Sequence, residues 1–190
     1  MKQIEFELIN LHKRLVNEFE NKEVDNIKKI SNTLIGSLKK GGMIYLCGNG
    51  GSAADSQHLA GEFIGRFKKD RKAIPAISLT TDTSVLTCVG NDFRFDDIFS
   101  RQIEALIKPR DILWSFSTSG SSKNIIAAAK MAKEKGAIVL AFTGKPGSKL
   151  EKISDLCLNV NSSTTSAVQE IHQLAYHIIC CLVEQRLIQD

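Results

Sequence analysis

The chain has 190 residues, of which 43% are hydrophobic and 24% charged, and its formal net charge is +4. These values are ordinary for a water-soluble globular protein with a core of its own and exclude a disordered chain. The small positive charge suits an anionic small ligand but is too weak to indicate a nucleic-acid surface, so we expect neither a nucleic-acid nor a membrane partner.

The cysteines and the N-terminus point to a reducing compartment. Five cysteines are scattered along the chain, and no CxxC pair occurs. Their odd number and their spacing favour buried free thiols over a disulfide framework. The first ten residues carry acids and lack the apolar stretch of a signal peptide, and no apolar run approaches the length of a membrane span. The sequence therefore predicts a cytoplasmic protein.

The first 40 residues have the spacing of two helices. Apolar side chains recur at helical intervals from Ile4 to Phe19 and again from Val24 to Leu38. Gly41-Gly42 then ends the second helix. Because this segment holds no cluster of reactive side chains, we expect the helical pair to cover a core or to pack against another subunit.

From residue 41 onward, short apolar runs alternate with helical segments. The runs have the length of strands and are Met43–Cys47, Ala76–Leu79, Ile112–Phe116, Ala137–Phe142 and Leu156–Val160. This alternation predicts an α/β fold, a five-stranded parallel sheet with helices on both faces. No linker, repeat or low-complexity stretch interrupts it. Residues 1–190 are therefore predicted to be one domain, with N-terminal helices (1–40) and an α/β core (41–190).

A glycine-rich turn follows the first strand, at the edge of the sheet where ligands of such folds bind. Gly48-Asn49-Gly50-Gly51 breaks the chain, and Ser52 begins a helical pattern with Asp55 as its expected capping-box partner. Free amides and the helix dipole both favour negative charge, so the turn is a predicted anion site. The turn also fits a relaxed form of the GxGxxA pattern of dinucleotide-binding sites. Such sites need an acidic residue after the second strand, and the nearest candidate, Asp82, comes too late in the chain. A nucleotide cofactor is therefore not favoured.

A second polar turn, Ser117–Ser122, follows the third strand and contains five hydroxyl side chains. An ordinary helix start needs only one such hydroxyl, so their number favours a phosphate site. The turn is not a Walker A loop, because no Gly-Lys-Ser/Thr follows its glycine.

Candidate acid–base groups lie on two helices. His58 and Glu62 are one helical turn apart, so both can reach one metal ion or one substrate. The last helix, about residues 166–189, is strongly apolar but carries polar side chains, Gln169 and His177 among them. Burying such groups unpaired costs about 1–3 kcal/mol each, so they need partners. From its apolar neighbours alone, His177 is expected to be a hydrogen-bonded core histidine.

Four motifs, in order along the chain, resemble the phosphoheptose isomerases of the sugar isomerase (SIS) fold. They are CGNGGSAADSQHLAGEF, CVGNDF, FSTSGSS, and VQEIH with a histidine five residues later. The resemblance implies a flavodoxin-like three-layer SIS fold. It also implies conversion of sedoheptulose 7-phosphate to D-glycero-D-manno-heptose 7-phosphate through an enediol(ate), the first step of bacterial heptose synthesis for lipopolysaccharide or capsule.

The resemblance further implies a cofactor, an assembly and site residues. One zinc ion per subunit would be held by His58, Glu62, Gln169 and His177, with Glu62 and His177 as the catalytic acid and base. The assembly would be a homotetramer with its active sites at subunit contacts. The implied contacts to a phosphorylated heptose are Asn49, Gly50, Gly51, Ser52, Glu62, Arg66, Asn91, Asp92, Ser117, Thr118, Ser119, Ser122 and Gln169.

Some alternatives stay open at this point. Gln169 and His177 are eight residues apart, roughly 12 Å along an ideal helix, so both reach one ion only if their side chains converge. Gln173 is the geometric alternative as ligand, and Gln169 is alternatively a sugar contact. Two other functions also remain. One is a non-catalytic SIS module that binds a sugar phosphate or associates with a replication initiator; the other is an SIS isomerase of another sugar phosphate.

Overall fold

A five-stranded parallel sheet forms the middle layer of the computed structural model, which describes residues 2–189. The order of the strands across the sheet is β2-β1-β3-β4-β5, and each neighbouring pair is parallel. The predicted α/β class and the flavodoxin-like arrangement are confirmed. The strands are β1 (Ile44–Cys47), β2 (Ala76–Ser78), β3 (Ile112–Ser117), β4 (Ile138–Thr143) and β5 (Leu156–Asn159).

Within the described residues, eight α-helices surround the sheet, and a short 3-10 turn spans Phe95–Asp97. The first two helices are the predicted N-terminal pair. The helices are α1 (Lys2–Lys22), α2 (Val24–Lys39), α3 (Gly51–Ile64), α4 (Thr83–Asp92), α5 (Ser100–Leu106), α6 (Lys123–Glu134), α7 (Lys149–Ile153) and α8 (Thr165–Gln189).

The sheet separates two hydrophobic cores, because successive strand side chains point to opposite faces. Leu46, Trp114 and Leu140 are neighbours in register and pack against α1, α2, α3 and α8. Tyr45 and Leu113 point to the other face, where α4, α5, α6 and α7 cover them. All six residues of β3 are buried, and four of them are apolar, as is typical of a strand covered on both faces. The predicted helices on both faces are therefore confirmed.

The five cysteines are free thiols, as the sequence predicts. Cys47 and Cys180 are buried, whereas Cys88 is exposed, so the expected burial is wrong for Cys88. In the part of the chain from residue 2 to residue 189, no helix combines the length and apolarity needed to cross a membrane.

The strand order creates a topological switch point between β1 and β3, which are neighbours in the sheet although β2 lies between them in the chain. Sheets of this kind bind ligands outside the carboxyl ends of the strands at such a point. The two turns predicted to bind anions, residues 48–51 and 117–122, are the ones that leave β1 and β3. The fold therefore brings both turns to one edge of the sheet.

Candidate active site and metal centre

The turn after β1 depends on its glycines. Gly50, the residue before α3, has a φ of +55°, which side-chain-bearing residues adopt rarely. A Cβ on Gly51 would overlap the side-chain amide of Gln169 on α8. The predicted capping box of Ser52 and Asp55 is wrong, because no side chain caps α3. The Asp55 carboxylate instead faces α8.

Backbone N–H groups in this turn are available to an anion. The amides of Ser52, Ala53 and Ala54 bond to the carbonyls of Asn49 and Gly50. The amides of Asn49 and Gly50 themselves have no acceptor among residues 2–189. They lie at the N-terminal end of α3, where the helix dipole also favours negative charge.

The serine loop, which we define as Ser117–Ser122, offers both hydroxyls and amides. The Ser117 hydroxyl lies 3.1 Å from that of Ser122, and the Ser119 hydroxyl accepts from the Ser121 amide at 3.2 Å. The backbone amides of Thr118, Ser119 and Ser122 have no acceptor in the described part of the chain. Three such amides beside several hydroxyls suit the oxygens of a phosphate group.

A pair of side-chain amides joins the two turns. Asn49 donates to the side-chain carbonyl of Asn124 at 2.9 Å, and Asn124 donates back to that of Asn49 at the same distance. Asn124 is 2% exposed and lies in the first turn of α6, directly after the serine loop. Since this pairing occupies the Asn49 side chain, its backbone amide is the group left for the predicted substrate contact.

Three candidate metal ligands meet where α3 packs against α8. His58 Nε2 lies 2.9 Å from Glu62 Oε1 and 3.4 Å from His177 Nε2. One ligand atom from each of the three residues lies within 4.8 Å of the other two. His58 and Glu62 share one face of α3, and His177 comes from α8, which packs beside it. The structure therefore brings together groups that are more than 100 residues apart in the chain.

The other nitrogen of His58 is also in contact. Its Nδ1 lies 3.3 Å from the Tyr176 hydroxyl, which in turn lies 3.5 Å from Asp55 Oδ1. Asp55 is 4% exposed, and its burial raises the pKa of its carboxyl group, although hydrogen bonds from Gln173 and Tyr176 act in the opposite direction. Outer contacts of this kind hold a ligating imidazole in one orientation.

The core histidine of α8 is His172 and not His177, so that sequence-based expectation is wrong. His172 is fully buried, and its Nε2 lies 3.3 Å from the Thr143 carbonyl. His177 is only partly buried and stacks on the ring of Phe67, with 5.7 Å between ring centroids and 21° between planes. Desolvation, followed by the charge of His58, lowers the pKa of His177, which keeps the ring neutral near pH 7.

Comparison with known proteins agrees with this geometry. The SIS domain family matches residues 9–144. A phosphoheptose isomerase of Burkholderia pseudomallei (strain K96243) is 48% identical over 161 residues, which cover 85% of this chain and 82% of that protein. The chain belongs to the phosphoheptose isomerase family.

Two solved structures of phosphoheptose isomerases share the whole fold. The enzyme GmhA from Neisseria gonorrhoeae gives a TM-score of 0.90 at 37% identity, over 97% of this chain and 98% of that one. A phosphoheptose isomerase from Francisella tularensis gives a TM-score of 0.92 at 32% identity, over 97% of both chains. The three-layer SIS architecture is therefore that of phosphoheptose isomerases along nearly its full length.

The zinc ion implied by the resemblance to phosphoheptose isomerases fits the donor set. Two imidazole nitrogens and one carboxylate oxygen are zinc ligands, and three protein ligands leave a fourth position for a substrate or a further side chain. His58 Nε2 and His177 Nε2 face each other, an arrangement that suits two lone pairs directed at one cation.

Gln169 and Gln173, the two glutamines considered as a fourth metal ligand, have different neighbours. The Gln169 amide lies against Gly51 at the start of α3, seven residues before His58. The Gln173 amide donates to Asp55 at 3.4 Å and is thereby engaged away from the three ligands. Gln169 thus lies next to the turn after β1, and this position suits a contact to the sugar.

Three predicted substrate contacts form no bond to the cluster among residues 2–189. Asn91 and Asp92 end α4, where the Asn91 amide donates to Asp92 at 2.8 Å and the Cys88 thiol lies 3.4 Å from Asp92. Arg66 is exposed just after α3 and forms no hydrogen bond or ion pair within residues 2–189. The single chain thus leaves these polar side chains free to face solvent or another molecule.

A cavity of about 330 Å³ opens beside the serine loop, near the ends of β3 and β4. Thr118, Ser119, Ser162 and Thr165 give it a hydroxyl-rich wall, and Lys145 adds a positive charge. Sequence analysis did not single out Lys145, although its place in the turn after the fourth strand was a usable signal, since ligands bind at that edge. Such a wall suits a phosphorylated polyol.

Proposed function

We propose that this protein converts sedoheptulose 7-phosphate to D-glycero-D-manno-heptose 7-phosphate, an aldose–ketose isomerisation through an enediol(ate). The observation that carries the proposal is the meeting of Glu62 and His177, with His58, in one cluster between α3 and α8. Family membership supports the same reaction class. The product would enter bacterial heptose synthesis for lipopolysaccharide or capsule, in the cytoplasm.

The mechanism assigns a separate task to each part of the site. The serine loop and the turn after β1 hold the phosphate and so orient the open-chain ketose. Glu62 removes a proton from C1, which forms the double bond of the enediol(ate) between C1 and C2. His177, kept neutral by its surroundings, takes the proton of the C1 hydroxyl and delivers it to C2, while the proton held by Glu62 passes to the oxygen on C2. The carbonyl is thereby moved from C2 to C1.

We include one zinc ion per subunit in this proposal, held by His58, Glu62 and His177, with Gln169 as the further ligand implied by resemblance. When bound, the ion supplies positive charge that stabilises negative charge on the substrate oxygens. His58 would then serve only as a ligand that holds the ion, and Tyr176 would serve only to orient His58. Support comes from the donor set and its spacing, with all three ligand atoms within 4.8 Å of one another.

We also propose a homotetramer with active sites at subunit contacts. Four apolar side chains on α1 are between 51% and 63% exposed, which is unusual for a monomer surface and typical of an interface. They are Ile4, Phe6, Leu8 and Ile9. A neighbouring subunit could also supply the polar groups of Asn91 and Asp92, which the single chain leaves away from the catalytic pair.

Replacing the proposed base tests the mechanism directly. Glu62→Gln keeps the size of the side chain but removes its ability to accept the C1 proton, so turnover should fall by about 100-fold or more. Turnover is measured with sedoheptulose 7-phosphate and zinc, and the zinc content of each sample is measured in parallel to separate loss of metal from loss of the base. Glu104→Gln, which breaks only an exposed ion pair on α5, should leave turnover unchanged. Wild-type turnover by Glu62→Gln would exclude Glu62 as the base.

The same assay separates the other candidate functions. Pentulose, hexulose and heptulose phosphates are offered at equal concentration, with added zinc or with a chelator. The proposal requires preference for the heptulose phosphate and loss of turnover with the chelator. Binding of the sugar phosphate without turnover would identify a non-catalytic SIS module, and preference for a shorter ketose would identify a different sugar-phosphate isomerase.

A further inference from the structure

A buried ion pair lies between α8 and the segment that follows α3. Arg71 Nε is 3.1 Å from Glu184 Oε1, and the two side chains are 6% and 4% exposed. Burying two charges carries a large desolvation cost, and a buried pair is commonly no more stabilising than apolar residues of the same size. The pair is therefore of interest for the groups that its contacts hold in place, rather than for its contribution to the free energy of folding.

Glu184 fixes the backbone of the segment. Its carboxylate accepts the amides of Phe67, Lys68 and Lys69 at 3.1, 2.9 and 3.0 Å, in addition to the Arg71 guanidinium. Burial alone would raise the pKa of Glu184, but the three backbone bonds and Arg71 outweigh it and lower the pKa. The chain directly after α3 is thus attached to α8 by four hydrogen bonds.

Arg71 reaches in the opposite direction, to the end of α3. It donates to the carbonyl of Glu62 at 2.7 Å and to that of Phe63 at 2.8 Å. These carbonyls lie in the last turn of α3, where backbone acceptors lack helical partners. One side chain therefore holds the backbone of the residue that we propose as the catalytic base.

The segment also reaches the proposed acid. Phe67, whose amide is bound by Glu184, places its ring 5.7 Å from the His177 ring in a nearly parallel stack. Glu184 follows His177 by seven residues, two helical turns, so both lie on the same side of α8. The Arg71–Glu184 pair is therefore linked to Glu62 at one end and to His177 at the other.

We propose that Arg71 and Glu184 are positioning residues that set the separation of Glu62 and His177 and, through Phe67, the orientation of the His177 ring. The catalytic consequence rests on the proposed isomerase function, whereas the geometric consequence does not. Neither residue touches the reacting atoms. Their effect is on how well two groups from different helices are held together, and small errors in such placement have large effects on rate.

The main test is Glu184→Gln. A glutamine has one acceptor oxygen in place of two, so it cannot bind Arg71 and all three backbone amides. We expect kcat to fall by about 10- to 100-fold, while KM for the phosphoketose changes by less than about 3-fold, because the phosphate turns lie elsewhere. Zinc affinity, measured by competition with a chelator, should fall by about 10-fold.

A second variant separates the loss of positioning from a simple loss of folding. Phe67→Leu keeps every backbone bond to Glu184 but removes the ring from His177, so the melting temperature should stay close to that of the wild type while kcat falls. An unchanged kcat in this variant would contradict the proposed role of Phe67 in orienting His177, and with it the inference as stated.

The matched control is Asp111→Asn. Asp111 is also a buried carboxylate that accepts backbone amides, but these come from Met43 and Lys108, in the segments that precede β1 and β3, and not from the segment after α3. This variant should lower the melting temperature without changing kcat or zinc affinity well below that temperature. Equal losses of kcat and zinc affinity in Asp111→Asn and Glu184→Gln would overturn the inference.

Failure of the proposed function is recognised separately. If the wild-type protein turns over none of the phosphoketoses, the isomerase proposal fails, and the positioning role is judged by geometry. In that case a crystal structure of Glu184→Gln should show the Glu62 carboxylate and the His177 ring displaced from each other. The wild-type separation in that structure would overturn the positioning role.

Discussion

The imidazole of His58 is held from two sides. Its Nε2 faces Glu62 and His177, so an ion bound there would leave the proton of the neutral ring on Nδ1, where the Tyr176 oxygen lies 3.3 Å away. Burial raises the pKa of Tyr176 above its usual value, so its hydroxyl keeps a proton that it can donate to Asp55. This order of donors selects the tautomer in which Nε2 is free to bind a metal.

Removing the Tyr176 hydroxyl should therefore weaken metal binding. In Tyr176→Phe the ring still fills its place in the core, but His58 loses the group that sets its tautomer and orientation. We expect zinc affinity to fall by about 10-fold or more, as measured by chelator competition. Tyr45→Phe is the matched control, since it removes a hydroxyl that bonds to the Leu106 carbonyl in the core on the other face of the sheet. Equal zinc affinities in the two variants would show that Tyr176 does not orient His58.

At the scale of elements, the turns after β1 and β3, which we propose to hold the phosphate, are coupled by the reciprocal pair of Asn49 and Asn124. Each turn leaves a different strand, and the ladder between β1 and β3 ends at Cys47 and Ser115, so a further constraint is needed to fix one turn relative to the other. The two hydrogen bonds of 2.9 Å supply that constraint. A phosphate bound by both turns would gain from a spacing that is already set before binding.

Breaking this pair should mainly affect binding. Asn124→Ala leaves the side-chain amide of Asn49 without its partner, a loss of about 1–3 kcal/mol in hydrogen bonding. We expect KM for the phosphoketose to rise by about 10-fold and kcat to change much less. Asn26→Ala, which removes an amide that ties α2 to the Cys157 carbonyl in β5, should lower stability without changing KM. A larger effect on kcat than on KM would contradict this role of the pair.

Hydrophobic runs were sufficient to predict the elements, because strand and helix patterns depend on neighbours in the chain. Each predicted strand agrees with an observed one to within a residue or so at its ends; Met43–Cys47, for example, is observed as Ile44–Cys47. The fold class follows from the same alternation of strands and helices. The positions of the turns after β1 and β3 were also predictable, since glycine and serine mark them locally.

Contacts between distant elements could not be predicted from such local patterns. Asp55 was expected to cap α3 because it stands three residues after Ser52, but tertiary packing directs it toward Tyr176 on α8. His172 and His177 have similar neighbours in sequence, yet only the structure shows that His172 faces the core. The position of Glu184 gives no local sign that it binds Arg71, more than 100 residues earlier.

At the scale of the whole molecule, one core contains a titratable group that the proposed mechanism does not use. His172 packs among aromatic rings, with centroids 5.3 Å from Phe142 and 6.1 Å from Phe116. Its Nδ1 has no hydrogen-bond partner among the described residues, as befits a neutral ring whose other nitrogen donates to the Thr143 carbonyl. Desolvation lowers the pKa of His172 from 6.5 to about 4.

This pKa makes the fold sensitive to acid over a defined range. Between pH 6.5 and about 4 the unfolded chain binds a proton at His172 that the folded chain does not, so the stability of the fold increases with pH in that interval. The stabilisation is complete above pH 6.5 and is lost as the pH falls toward 4. A single site of this kind contributes about 1.4 kcal/mol per pH unit within the interval, or up to about 3 kcal/mol in total.

His172→Asn should flatten this dependence. The asparagine amide can still donate toward the Thr143 carbonyl but does not titrate, so the free energy of unfolding should fall less between pH 7 and pH 4.5 than in the wild type, even if its value at pH 7 is lower. Urea denaturation at several pH values measures the difference. His12→Asn, which replaces an exposed histidine on α1, should keep the wild-type dependence. If His172→Asn loses stability on acidification as steeply as the wild type, other groups account for the acid sensitivity of the fold. The buried imidazole would then be a packing element alone.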